Sequence, residues 1–386
     1  MKIVFICIYS HPSICGVWNR VYNLSKMLIE KGHEVYVFST NIIKGTDQYS
    51  QEYENFEGIK IYRFKPFLSF GENVKFWNFD KKLKEINPDL IMAEVYRHPH
   101  TSFALKAARK LNKRIFLTTH APFVEPELRS KYGNLIVNFY DKFLTNINKF
   151  DKIITITKWE SPFLNALKIN ENKISYMPNG LQREFFQKIR KGKGLLFLGR
   201  IAEIKNLETL ILALSKIKSK TSLRIVGPAE EKYKERLTNL IKQLNLNNIE
   251  FFPAVYDLKK KINIIDSSDI FILPSKREAM PQSLIEAMAR GKIVIASENK
   301  GASEIVENDK NGFLFPILDS DKLAEIIDFC LQKKNKSKLN TIRKNAILKA
   351  KEFSWNKIFN DFYNLIKPQN SPQNRNSDGD QKSEDF

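Results

Sequence analysis

Two acidic side chains eight residues apart, Glu278 and Glu286, stand in the segment PSKREAMPQSLIEAMARGKIVIAS, residues 274–297. An apolar run ends at Pro274-Ser275 and a short polar stretch then carries Glu278. Pro281 can open a helix there, because the first helical turn has no use for the N–H that proline lacks. Glu286 then falls on the helix and Glu278 in the loop ahead of it. Carboxylates so placed could hold sugar hydroxyls, while the unpaired N–H groups at the helix start suit a phosphate. The same pattern also describes an amphipathic helix with two solvated glutamates. A second segment, LGRIAEIKNLETL at 198–210, sets Arg200 and Lys205 in a strand-to-helix loop. Two cations there could neutralise a diphosphate; taken alone, they also read as ordinary surface residues.

Such side chains need strands and helices to hold them. Lys2–Ile8 is a continuous apolar run, the mark of a strand buried on both faces. A turn-rich loop follows, then the helical period of VWNRVYNLSKMLIEKG with Gly32 as its stop, then a strand at Glu34–Ser39. This βαβ opening implies a parallel sheet with right-handed crossovers. Strands follow at Ile59–Phe64, Asp89–Ala93, Arg114–Thr119 and Ile153–Thr157, with helices at Ser102–Leu111 and Ser161–Leu167. GLLFLGR, SLRIVG, DIFILPS and KIVIAS are strands of a second unit, with NLETLILALSKIK and SLIEAMARG as helices. The predicted fold class is α/β, with two facing Rossmann-like doubly wound domains. Ligands of such sheets sit beyond the carboxyl ends of the strands, so the cleft between the domains is the expected site.

The divisions read as follows: an N-terminal domain over 1–181, a linker over 182–193, a C-terminal domain over 194–350, a crossover helix over 351–368, and a disordered tail over 369–386. The tail is polar and poor in hydrophobic residues. A chain of 386 residues exceeds one core. Its net charge of +20 divides as +9 up to residue 180 and +11 beyond it, with no dense basic arm of the kind that binds nucleic acid. Three cysteines, Cys7, Cys15 and Cys330, form no Cys-x-x-Cys pair, which argues against a zinc site or disulfide framework and fits a reducing, cytoplasmic compartment. No apolar stretch is long enough for a spanning helix. The triplet Asp378-Gly379-Asp380 looks like a metal-binding Asp-x-Asp but falls in the tail, and no metal is expected. His98 and His100 have no evident third ligand and are expected on the acceptor side or a loop surface.

In order and spacing these segments resemble the retaining GT-B glycosyltransferases of family 4, over roughly residues 1–367. The Glu-x7-Glu of that family, after a strand ending in Pro-Ser, matches Glu278 and Glu286, with the Glu-Ala-Met-Ala run at 286–289. Its Arg and Lys diphosphate clamp matches Arg200 and Lys205, its Pro-Asn-Gly matches Pro178, Asn179 and Gly180, its first-loop glycine matches Gly16, and its Thr-x-His matches His120. KEFSWNKIFNDFYNLI at 351–366 resembles the terminal helix that returns to the first domain. There are departures. Cys15 precedes Gly16 where two glycines are usual, Met280-Pro281 replaces Phe-Gly and removes a main-chain donor, Gln182 replaces an Asp, and Pro253 replaces a strand-end Gly.

The resemblance implies transfer of a sugar from a nucleotide-diphosphate donor to a saccharide or lipid-linked acceptor, with the anomeric configuration retained by front-face displacement. It implies Arg200 and Lys205 on the leaving diphosphate, Glu278 on the transferred sugar, and His120 facing that sugar from the first domain. Donor contacts would come from Gly16, Ala279, Met280, Pro281, Gln282, Ser283 and Leu284, and Glu286 would hold the ribose. No cofactor is implied beyond the donor, and the cationic clamp would replace a metal. A nucleotide-sugar epimerase of the same fold is the nearest rival, and a basic RNA- or membrane-binding module is the non-enzymatic one. A nicotinamide-dependent dehydrogenase is a weaker rival, because no Gly-x-Gly-x-x-Gly follows a strand in this sequence. Tyr62-Arg63-Phe64-Lys65 and Lys75-Phe76-Trp77 suggest peripheral docking of the first domain on an anionic membrane.

Overall fold

A computed structural model describes residues 1–71, 74–123, 131–141 and 145–367. The tail with Asp378 and Asp380, and residue 368 of the expected crossover helix, lie outside the described residues.

The first lobe is built on ten strands: β1 (Lys2–Ile6), β2 (Glu34–Thr40), β3 (Tyr53–Phe56), β4 (Ile59–Phe64), β5 (Leu68–Phe70), β6 (Val74–Phe76), β7 (Leu90–Glu94), β8 (Arg114–Thr118), β9 (Lys152–Thr155) and β10 (Ile174–Tyr176). Eight form one sheet in the order β10-β9-β8-β7-β1-β2-β4-β3, and β5 and β6 pair separately. All pairs in the large sheet are parallel except β3 with β4. The continuous apolar run of β1 has its reason here. Ile3 and Phe5 enter one core with Trp18 and Leu24, while Val4 and Ile6 enter another with Phe38 and Ile91. Helices cover both faces, so from Ile3 onward no residue of the strand is left for water. The strand stops two residues short of the predicted Ile8, although the N–H of Cys7 still donates to the Phe38 carbonyl (3.0 Å).

The second lobe carries β11 (Leu195–Leu198), β12 (Leu223–Val226), β13 (Ile249–Phe252), β14 (Ile270–Leu273), β15 (Ile293–Ser297) and β16 (Phe313–Phe315), all parallel, in the order β13-β12-β11-β14-β15-β16. A single core holds this lobe together. In both sheets the strand order reverses beside the first strand of the unit, between β1 and β7 and between β11 and β14. Loops leaving those four strands diverge and open a crevice at the carboxyl edge.

The chain passes between lobes at Pro178–Leu181 and comes back at Phe353–Trp355. The N–H of Leu181 donates to the Phe353 carbonyl (2.7 Å), and that of Trp355 to the Leu181 carbonyl (3.1 Å). A Cβ on Gly180 would lie 2.4 Å from the Trp355 ring, so only glycine allows the two strands of this crossing to touch. The helix Trp355–Ile366 then buries Trp355, Ile358, Phe359, Phe362 and Ile366 against the first lobe. The returning helix is thus present, and the architecture is the predicted pair of Rossmann-like lobes. No described helix is long and apolar enough to cross a membrane.

Three of the residues expected to face a membrane, Arg63, Lys75 and Trp77, are turned inward, while Lys65 is exposed. β4 alternates buried and half-buried positions, and the Arg63 side chain is buried, donating to the carbonyls of Gln51 (3.0 Å) and His11 (2.6 Å) and pairing with Glu54. Lys75 is buried on Gly71 and Ser69, and Trp77 is wholly buried. The period-2 strand pattern, not the charge, decides where these residues point. His100 is also a correction. It is fully buried, stacked on Trp77 at 5.0 Å, with Nε2–H donating to the Glu94 carbonyl (2.7 Å), and burial holds its pKa down at about 3.

Candidate active site

Arg200 and Lys205 leave the carboxyl end of β11, and Glu278 leaves that of β14, the two strands flanking the switch point. Short bonds stitch the two loops together. The N–H of Lys276 donates to the Ile204 carbonyl (2.9 Å), and Asn206, in a left-handed conformation at φ 52°, donates its amide to the Pro274 carbonyl (3.1 Å). This brings the Lys205 ammonium to 2.6 Å from Glu278 Oε1, which also accepts from the Ser275 hydroxyl (2.6 Å). Gly301 backs the arrangement. A Cβ there would meet the Glu278 and Ala279 carbonyls at 2.6 Å, so the absence of a side chain lets the short helix Lys300–Ser303 press against the Glu278 loop. Arg200 is 60% exposed and only loosely paired with Glu230 (3.5 Å), which leaves its guanidinium able to swing to a ligand.

These residues surround a cavity of about 390 Å³ lined by Arg200, Lys205, Glu278, Met280, Pro281, Gln282 and Ser283, with Ile14 reaching in from the first lobe. Among the described residues Glu278 is the one acidic side chain on its wall. Pro281 is the residue before the helix Gln282–Ala289. The Asn179 N–H meets Met280 Sδ (3.3 Å) and the Gln282 amide donates to the Gly180 carbonyl (3.0 Å), so Pro-Asn-Gly braces the start of that helix.

Glu286 lies one layer deeper. It is 4% exposed, and burial raises its pKa while the Lys261 ammonium opposes that rise. Lys261 Nζ lies 2.5 Å from Oε1, and Oε2 has no hydrogen-bond partner among the described residues. Lys261 itself lines the cavity. A buried carboxylate oxygen with no partner is costly unless a ligand supplies a donor.

The first lobe contributes differently. Gly16 is the first residue of the helix Gly16–Glu30, and a Cβ there would meet nothing within 4 Å, so its freedom from a side chain serves no packing inside the chain. His120 follows β8, with Nε2 at 2.6 Å from Oε2 of Glu94, a fully buried carboxylate that also accepts from the Thr118 hydroxyl (3.2 Å). His120 and Ala121 both have positive φ, 58° and 52°. Consecutive left-handed non-glycine residues are strained, and the buried Glu160 helps to hold them by accepting from the Ala121 N–H (3.1 Å). His120, Gly16, Ala279 and Leu284 are not on the cavity wall; Leu284 is fully buried in the core of the second lobe. No group of three or more potential ligand residues is arranged for a metal among the described residues.

Sequence reasoning missed Glu94, Lys261 and Trp159. Glu94 is 26 residues from His120, and Lys261 is 25 from Glu286. No spacing rule links such pairs: Glu94 and His120 meet because β7 and β8 pair, and Lys261 and Glu286 because the helices Leu258–Asp266 and Gln282–Ala289 come together. Trp159 bridges the lobes, its indole N–H donating to the Ala279 carbonyl (3.0 Å), while the N–H groups of Lys158 and Trp159 donate to Glu304.

The family profile described as Glycosyltransferase Family 4 matches residues 14–185, and that described as Glycosyl transferases group 1 matches residues 181–349. An uncharacterised glycosyltransferase of Methanocaldococcus jannaschii is 27% identical, over 95% of this chain and 98% of that protein. The N,N'-diacetylbacillosaminyl-diphospho-undecaprenol alpha-1,3-N-acetylgalactosaminyltransferase of Campylobacter jejuni is 24% identical over the same shares. Among solved structures, Anabaena HepE in complex with UDP and glucose superposes with a TM-score of 0.72 at 20% identity, covering 95% of this chain and 99% of that one. With a Rossmann-like pair of lobes, a cleft at both switch points, and two adjoining profiles that together run from residue 14 to residue 349, the chain belongs to the GT-B glycosyltransferases of family 4.

Proposed function

We propose that this glycosyltransferase takes a sugar from a nucleotide diphosphate and passes it, with retention, to a saccharide or lipid-linked acceptor. The observation that carries this reading is the Lys205–Glu278 pair on the wall of the 390 Å³ cavity, with Arg200 beside it. A diphosphate entering the cavity competes for the Lys205 ammonium. Lys205 exchanges a carboxylate for phosphate, and Glu278 Oε1 is freed to accept from hydroxyls of the sugar. Arg200 turns from its weak pair with Glu230 to the same diphosphate. Charge developing on the leaving group therefore meets cations already in place. Glu286 Oε2 accepts from the ribose. Among the described residues the cavity wall offers no second carboxylate to act as a covalent nucleophile, which supports front-face displacement, with the leaving phosphate taking the acceptor proton. The clamp does the work of a metal in this reading.

The Campylobacter relative acts on a diphospho-undecaprenol-linked sugar, and HepE was crystallised with UDP and glucose. The HepE complex supports a nucleotide-linked donor, and the Campylobacter relative supports a lipid-linked sugar as acceptor. Tyr132 and Leu135 of the helix Lys131–Phe139, and Phe67 and Phe70, are exposed apolar side chains with which the first lobe would approach a membrane. Flotation with anionic liposomes at low and high salt tests that part; absence of binding at low salt removes it.

Calorimetry with UDP, GDP and ADP, followed by transfer assays with the matching sugar nucleotides, tests the main reading. One nucleotide should bind, and Arg200→Ala and Lys205→Ala should each weaken it by about 2 kcal/mol, roughly thirtyfold. Equal affinity in both variants and the wild type removes the clamp.

A further inference from the structure

Beside the donor cavity lies a second and larger one, of about 580 Å³, and Glu278 belongs to the walls of both. We propose that this second cavity is the acceptor subsite, shaped for a sugar that carries a phosphate or diphosphate group; the proposal rests on the donor reading above. Its position comes first. A molecule held there adjoins the carboxylate that would hold the transferred sugar.

Its walls come from both lobes. Phe123 and Trp159 come from the first lobe, and Lys276, Arg277, Glu298 and Lys300 from the second. The aromatic side is held rigidly. The Trp159 indole is tied to the Ala279 carbonyl, and Phe123 stacks on Phe163 at 5.2 Å with the rings 14° apart. Flat, fixed aromatic surfaces with a polar handle suit the apolar face of a sugar ring. The wall from the second lobe carries more basic than acidic side chains: among the described residues Lys276, Arg277 and Lys300 stand with Glu278 and Glu298. Lys300 lies over the Trp159 and Phe163 rings, and Lys276 reaches Glu203 only at 3.9 Å. Arg277 makes no hydrogen bond or ion pair among the described residues. Lys276 and Arg277 immediately precede Glu278, so a group bearing two negative charges next to the acceptor sugar would be read by the same loop that reads the donor sugar.

The test uses the full chain and the double variant Lys276→Gln/Arg277→Gln. Both residues are exposed, so the fold should not suffer. First, the nucleoside diphosphate is titrated into each protein. Equal affinity is expected, and failure of either protein to bind it counts against the donor reading rather than against this one. Hexoses and N-acetylhexosamines are then offered as methyl glycosides, as 1-phosphates and as farnesyl-diphosphate conjugates. A phosphate-bearing acceptor should show a KM at least tenfold below its methyl glycoside, and the double variant should erase that difference. Preference for the 1-phosphate identifies a soluble phosphorylated acceptor; preference for the farnesyl diphosphate alone identifies a lipid-linked one. Methyl glycosides used equally well, or a preference that survives the double substitution, overturns the proposal. Should the panel hold no acceptor, inorganic pyrophosphate is titrated into the nucleotide-saturated proteins. Binding by the wild type that the double variant loses supports the subsite, and no binding by the wild type overturns it.

Discussion

Replacing Lys261 by Met leaves the Glu286 carboxylate in a protein interior with no cation beside it. Glu286 is 4% exposed, one of its oxygens is held by Lys261 at 2.5 Å, and the other has no partner among the described residues. Removing one member of a buried pair costs about 3–5 kcal/mol. The Lys261 side chain is 27% exposed, so water screens part of the attraction and about 2 kcal/mol is the working figure. In a unit of 150–250 residues that lowers the midpoint of thermal unfolding by roughly 4–8 °C. The sign with pH follows from the direction of the shift. Burial raises the folded pKa of Glu286, and loss of Lys261 raises it further. Stability linked to such a group is fully present below the unfolded carboxylate value, near 4.3, and is lost as pH rises through the folded value. Lys261→Met should therefore match the wild type near pH 4 and fall below it at pH 7. Glu286→Gln in the same chain should restore most of the loss, because a neutral amide needs no counter-charge. Thermal melts of the two single variants and the double variant at both pH values are the assay. A deficit equal at pH 4 and pH 7, or one that Glu286→Gln does not relieve, refutes the reasoning.

Three further outcomes follow from the same geometry. Glu286→Gln should chiefly weaken nucleotide binding and Glu278→Gln should chiefly lower turnover, because one lies beneath the cavity and the other on its wall between donor and acceptor; steady-state kinetics with identical effects on kcat and KM in both variants would contradict the assignment. Transfer should persist in excess EDTA, and removal of residues 369–386 should leave the rate nearly unchanged; a complete loss with chelator that manganese or magnesium restores would show otherwise. Glu94→Gln should slow transfer by up to about a hundredfold through misplacement of His120, while leaving nucleoside diphosphate affinity intact, since Glu94 touches His120 and Thr118 and is not on the donor wall. Calorimetry and turnover measured on the same preparation separate the two effects.

What the sequence determined by itself was local or periodic. The apolar runs of β1, β11, β14 and β15 and the helices between them follow from residues buried on both faces of a parallel sheet, a condition visible within a few positions. β10, β13 and β16 are outermost strands of their sheets and only partly buried, so they lack the continuous apolar run that marks β11 and β14 and emerge only with the tertiary structure. Arg200, Lys205, Glu278 and Glu286 were legible because each pair sits within a single strand–loop–helix unit. The tertiary structure alone decided that Lys205 meets Glu278 across 73 residues, that Glu286 is neutralised by Lys261, and that His120 leans on Glu94. It also turned Arg63, Lys75 and Trp77 away from the surface they were expected to face. The physical reason is one of range. Hydrophobic period is set by neighbours along the chain, whereas the partner of a charge is set by which strands, helices and loops the fold places side by side, and that arrangement is chosen by the packing of the whole lobe.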